Sequence, residues 1–139
     1  MPFEPTFFDD SRWPLLYLRL PGTLSDQGHE DCLTLFSGYV KRGERFLLIV
    51  DLSLIGLVPL SQRWRQVEWF EEHDLLLRQT IIGGAAILTS SVVQLSVSAI
   101  LFFKPLPLPL AFFRSPDAAE TWASARLKEA GLTQGFRGY

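Results

Sequence analysis

The chain has 139 residues, enough for one complete hydrophobic core and too few for two domains of ordinary size. Hydrophobic residues at 47% and charged residues at 20% set it apart from disordered chains, and a formal charge of −2, with no long block of either sign, leaves no footprint for nucleic acid. One cysteine, Cys32, excludes an internal disulfide and a thiolate metal cage, and a start of acids and prolines lacks the pattern of a secretory leader, so the expectation is a cytoplasmic protein with no metal and no cofactor.

Phe3, Phe7 and Phe8 lead to a turn signal at Asp9-Asp10-Ser11, and the run from Trp13 to Leu20 then alternates. Leu16, Leu18 and Leu20 fall on one side, with Tyr17 and Arg19 on the other. The pattern predicts an antiparallel hairpin near a sheet edge, stopped by Pro21-Gly22. Ser25 or Asp26 caps the next helix. In it Cys32, Leu33, Phe36, Tyr39 and Val40 recur at helical spacing up to Gly43, which makes Cys32 a small core residue rather than a reactive thiol.

Phe46 to Val50 is a continuous apolar strand that runs into Asp51. A carboxylate at the carboxyl end of a buried strand sits where open α/β sheets place their ligands, and it can also pin the following loop by accepting its hydrogen bonds. Ser61 is the expected N-cap of a helix over 62–77. In that helix Trp64, Val67, Phe70, Leu75 and Leu77 are read as the inward stripe, and Trp69 as an outward anchor for a partner.

Thr80 to Leu88 reads as a buried strand, whose Gly83-Gly84 leaves room for close approach by a backbone or a ligand. Ile81 to Phe103 carries no charge over about the length of a bilayer span, but the glycines and Thr89-Ser90-Ser91 divide it into a strand and a helix over 92–103 capped by Ser90 or Ser91. That helix is apolar nearly all round. The segment PLPLP at 105–109 reads as an extended connector, Leu110 to Phe113 as the last strand, and Ser115-Pro116-Asp117 as the start of a helix with Ala119, Trp122, Ala123 and Leu127 inward and Gly131 as its stop. One domain over 1–131 and a loosely held tail over 132–139 complete the expected organisation.

The sequence carries no recognisable catalytic constellation. No strained serine turn, phosphate loop or dinucleotide turn is present. His29 and His73 fall near helix ends, where solvated histidines are common. Glu71-Glu72-His73-Asp74 has metal-ligand residue types whose side chains diverge around a helix. Asp26, Asp51 and Asp117 show no sign of meeting. The sequence therefore reads as that of a non-enzyme.

The hairpin ending Leu20-Pro21-Gly22-Thr23-Leu24, the strand ending Val50-Asp51-Leu52-Ser53, the helix opening at Ser61, and Phe113 followed by Ala119-Glu120 and Trp122 together resemble the STAS fold of anti-sigma-factor antagonists. The likeness is closer to the bacterial SpoIIAA-like branch, related to small STAS/SEC14-type domains, and covers nearly the whole chain. It implies a single-domain α/β fold: a mostly parallel five-stranded sheet with an antiparallel N-terminal hairpin and four helices. It also implies a regulatory protein-interaction domain, with Ser61 at the position that partner kinases phosphorylate in the antagonists. Their tract is aspartate-serine-serine-glycine, whereas this chain has Pro59-Leu60-Ser61-Gln62, so the interaction surface carries over better than the phosphorylation. The expected partner surface comprises Asp51, Ser53, Leu54, Ile55, Leu57, Val58, Leu60, Ser61 and Trp69. The alternative is a carrier or sensor of a lipid or other apolar ligand, with Val93, Val97, Leu101 and Phe103 lining a cavity or a homodimer surface.

Overall fold

A computed structural model of the protein describes residues 8–54, 58–95 and 109–132. Along the chain run β1 (Phe8–Arg12), β2 (Leu15–Arg19), α1 (Asp26–Val40), β3 (Phe46–Asp51), α2 (Leu60–Glu72), α3 (Asp74–Thr80), β4 (Ile81–Ile87), a helical segment α4 at residues 91–95, β5 (Leu110–Phe113) and α5 (Pro116–Glu129). The strands form one sheet in the order β1-β2-β3-β4-β5, antiparallel between β1 and β2 and parallel elsewhere. Tyr17, Ile49, Ala85 and Ala111 pair in succession across it. Alternation of apolar strands with helices dictates this layered arrangement, because strands buried on both faces need helices on both sides.

The period-two rule divides the strand residues between the two layers. Leu15, Tyr17, Leu47, Ile49, Ala85 and Ile87 face α5, where they meet Ala119, Ala123 and Leu127. Leu16 and Phe46 belong to the opposite core, together with Trp13 of the turn and Ile81. Ile81 lies on this face despite sharing the parity of Ala85 and Ile87, because the register shifts between Ile81 and Gly83. The core is closed by Phe36 and Val40 of α1, Trp69 of α2 and Leu77 of α3. Three helix starts follow their sequence signals. The Ser25 hydroxyl accepts the Gly28 N–H at 3.0 Å and the Ser115 hydroxyl the Ala118 N–H at 3.2 Å, while the Ser90 hydroxyl accepts the Val93 N–H at 3.3 Å. Gly43 and Gly131, both at φ 74°, supply the left-handed turns after α1 and α5.

Four expectations change. The hairpin turns at Trp13-Pro14, joined by a cis peptide, and Asp9 to Ser11 lie within β1. The hairpin does form the sheet edge, but the side of β2 read as polar is covered: Tyr17 is buried, with the Arg19 guanidinium 4.1 Å above its ring. The helix expected over 62–77 is two helices, parted at His73, which leaves helical geometry (φ −108°, ψ 13°) with a ring nitrogen 2.8 Å from the Trp69 carbonyl. Leu132, assigned to the tail, packs on the α5 core and its N–H bonds the Leu127 carbonyl at 2.8 Å. The rest of the tail lies outside the described residues, as do Phe3 and Phe7.

The room at Gly83 is taken by the protein itself. A Cβ there would stand 3.2 Å from the tip of the Trp122 ring and 3.6 Å from the Pro109 carbonyl, so glycine lets α5 and the approach to β5 close onto β4.

Candidate functional site

The carboxyl rim of the parallel strands starts at Asp51. Its Oδ1 accepts two hydrogen bonds from Ser53, from the backbone N–H at 2.9 Å and from the hydroxyl at 2.6 Å. A side chain that accepts from the residue two places on closes an Asx-type turn. The chain around it is stapled to both neighbouring strands, by the Leu20 N–H on the Asp51 carbonyl at 3.3 Å and by the Leu52 N–H on the Ile87 carbonyl at 2.9 Å. Asp51 thus holds the loop, as expected, and Ser53 is its partner in doing so. Leu54 follows with 71% of its surface exposed, and Ile55 and Leu57 lie outside the described residues.

Ser61 does not cap α2. The helix begins one residue earlier, at Leu60, with Pro59 at the cap position (φ −56°, ψ 145°) and no side-chain capping bond. Proline holds φ near the helical value, so the chain can turn as soon as it leaves the ring, and the Pro59 carbonyl accepts from Gln62 at 3.0 Å and Arg63 at 3.1 Å. Ser61 is the second helical residue and is exposed; Val58 is half-buried.

The two tryptophans of α2 exchange their expected places. Trp69 is 2% exposed, stacked on Phe36 with ring centres 5.1 Å apart and on His73 at 4.2 Å, and its indole N–H donates to the Ser37 hydroxyl at 3.0 Å. It is therefore no partner anchor. Trp64 is 61% exposed, one turn beyond the exposed Leu60. The reason lies in what α2 presents to α1. Gln62 donates to the Leu24 carbonyl at 2.8 Å and the Asp26 carboxylate at 3.0 Å, Gln66 stands 3.1 Å from the His29 ring, and Arg65 pairs with Glu30 at 2.9 Å. Residues 62, 66 and 69 share one helical face, and two of the three are amides, which an apolar stripe passes over.

This seam also corrects the histidines. His29 is buried beneath α2, and burial lowers its pKa against the opposing pull of Glu30. His73 stacks on Trp69 rather than standing in solvent. Burial pushes the Cys32 thiol up to about 12, which removes its nucleophilic form. The run from Glu72 to Asp74 divides among separate partners, Glu72 to Arg65 and Asp74 to Arg78.

Six large apolar side chains are strongly exposed among the described residues: Leu54, Leu60, Trp64, Leu75, Val92 and Leu95. Five of them sit on segments that leave the carboxyl ends of strands. Leu54, Leu60 and Trp64 follow β3, and Val92 and Leu95 follow β4, whereas Leu75 belongs to α3 and leads toward the amino end of β4. Trp64, Val92 and Leu95 were absent from the expected partner surface. Val93 is buried at 6% exposure, and Val97, Leu101 and Phe103 lie outside the described residues. No helix among the described residues is long and apolar enough to cross a membrane.

No protein-family model matches the sequence, and no curated protein matches it. Among solved structures the chain is similar to that of an uncharacterized protein of the DUF3478 family with a SpoIIAA-like fold from Shewanella loihica PV-4. The match has a TM-score of 0.61 at 15% identity and covers 78% of this chain and 83% of that one. The likeness is one of architecture, and the chain has a SpoIIAA-like α/β fold.

Proposed function

We propose that this protein is a non-catalytic regulatory domain of the cytoplasm that binds a protein partner through the carboxyl rim of its sheet. The placement of Leu54, Leu60, Trp64, Val92 and Leu95, each more than half exposed, on segments that leave the carboxyl ends of strands carries the reading. Large apolar side chains exposed on such segments favour recognition, and tryptophan is a frequent anchor of protein interfaces. Open α/β sheets use this same end for their ligands. The SpoIIAA-like fold and the resemblance to anti-sigma-factor antagonists, which act by binding, support the same direction. Asp51 and Ser53 hold the loop in register for the partner. Ser61 stays the candidate phosphorylation site within this reading: a phosphate on the second residue of α2 would sit near the free amides of the first turn and reverse the character of the rim.

The carrier reading rests on Val93, which is buried, and on Val97, Leu101 and Phe103, which lie outside the described residues. Quantitative affinity capture separates the outcomes. Trp64→Glu and Leu60→Asp should lose the proteins that the wild type recovers, while Leu75→Asp, an exposed leucine elsewhere, keeps them. Recovery of the same proteins in the same amounts by all four forms would sink the reading. Concentration-dependent sedimentation abolished by Trp64→Glu would identify the partner as a second copy.

A further inference from the structure

At the opposite end of the sheet, three arginines, one from a loop and two from helices, line one open cleft of about 390 Å³. Arg45 precedes β3, Arg78 lies in α3 on one side of the sheet, and Arg126 lies in the last turns of α5 on the other. We propose that this cleft binds a small ligand carrying two or more negative charges on phosphoryl or carboxyl oxygens. The site is independent of the partner surface, which lies at the far ends of the same strands.

Three arginines lining one space in a chain of net charge −2 are a local reversal of sign. Two of them are held by carboxylates without being used up, Arg78 by a residue outside the lining and Arg126 by Glu129 within it. Arg78 commits Nε to Asp74 at 2.8 Å, and Arg126 commits one terminal nitrogen to Glu129 at 3.5 Å. Each guanidinium has five N–H donors in a planar fork that matches phosphoryl and carboxyl oxygens, so donors remain on both. Arg45 forms no ion pair among the described residues and adds a third positive charge. Glu129 is the one acidic side chain among the described lining residues, which disfavours a cationic ligand. Ile81 and Ala130 give the wall an apolar patch, and the volume falls within the range of small-molecule sites, roughly 300–1,000 Å³, so the ligand is larger than a bare phosphate ion.

The arginine Nε–Hε resonances of labelled protein report on the site directly. Inorganic pyrophosphate and citrate, titrated separately at low ionic strength, should produce saturable shifts at Arg78 and Arg126, and the tighter of the two identifies phosphoryl or carboxyl oxygens as the preferred partner. Arg45→Gln and Arg126→Gln should each weaken binding by about tenfold, whereas Lys128→Gln, the same loss of charge on α5 outside the cleft, leaves it unchanged. Absence of saturable shifts up to on the order of 10 mM of either anion overturns the proposal, and so does equal weakening by Lys128→Gln, which would reduce the effect to general attraction by surface charge.

Discussion

The two faces of the sheet are closed by different chemistry. Against α5 the contact is carbon on carbon: small alanines of the helix let it lie close over Leu47, Ile49, Ala85 and Ile87. Against α1 and α2 the core is aromatic, with Trp13, Phe36, Phe46 and Trp69 in successive ring contacts, and its margin is a seam of hydrogen-bonded amides and ion pairs. One helix is therefore placed by shape and the other largely by polar pairing. The second arrangement is the more exacting, because each buried polar group must keep its partner.

The largest expected effect lies on the aromatic side. Trp69→Ala should cost about 3–5 kcal/mol in urea unfolding, since it removes a buried indole and leaves a cavity beside Phe36, while Trp64→Ala stays within about 0.5 kcal/mol. Similar costs for the two would reverse the burial of the pair. On the α5 side, Gly83→Val should lose about 1–3 kcal/mol by driving a side chain into Trp122. If Trp122→Ala in the same background restores nothing, the close approach is not the cause.

Gln62→Leu tests whether the seam is held by hydrogen bonds or by area alone. It orphans the Leu24 carbonyl, and a loss of about 1–2 kcal/mol is expected; a stability equal to or above wild type would make the two faces alike after all. The smallest effect concerns pH. The folded protein lowers the pKa of His29 below its ordinary value of 6.5, so the unfolded chain binds more protons there and stability must fall as pH drops through and below about 6.5. His29→Gln should flatten that part of the stability profile, and an unchanged slope would move the titrating group elsewhere.

The α5 face was legible because its signal is local. Ser115-Pro116-Asp117 starts the helix, and Ala119, Ala123 and Leu127 recur at its own period, so burial follows from neighbours within two turns. The rim was legible in part. Asp51 at a strand end and the apolar Leu54 and Leu60 stood out, but Trp64, Val92 and Leu95 did not, because their exposure depends on how α2 and α4 are rotated.

The order of strands and helices, the parallel sheet with its antiparallel beginning, three serine caps and the loop-holding role of Asp51 were determined by the sequence itself, through periodicity, caps and turn residues that act over a few positions. Only the tertiary structure decided which tryptophan of α2 is buried, that His29 lies beneath it, and that Arg45, Arg78 and Arg126 meet in one cleft. These depend on partners dozens of residues away: Gln62 on Leu24, Gln66 on His29 and Trp69 on Ser37. A polar side chain is read as outward until its distant partner is in place, and that partner is supplied by the fold.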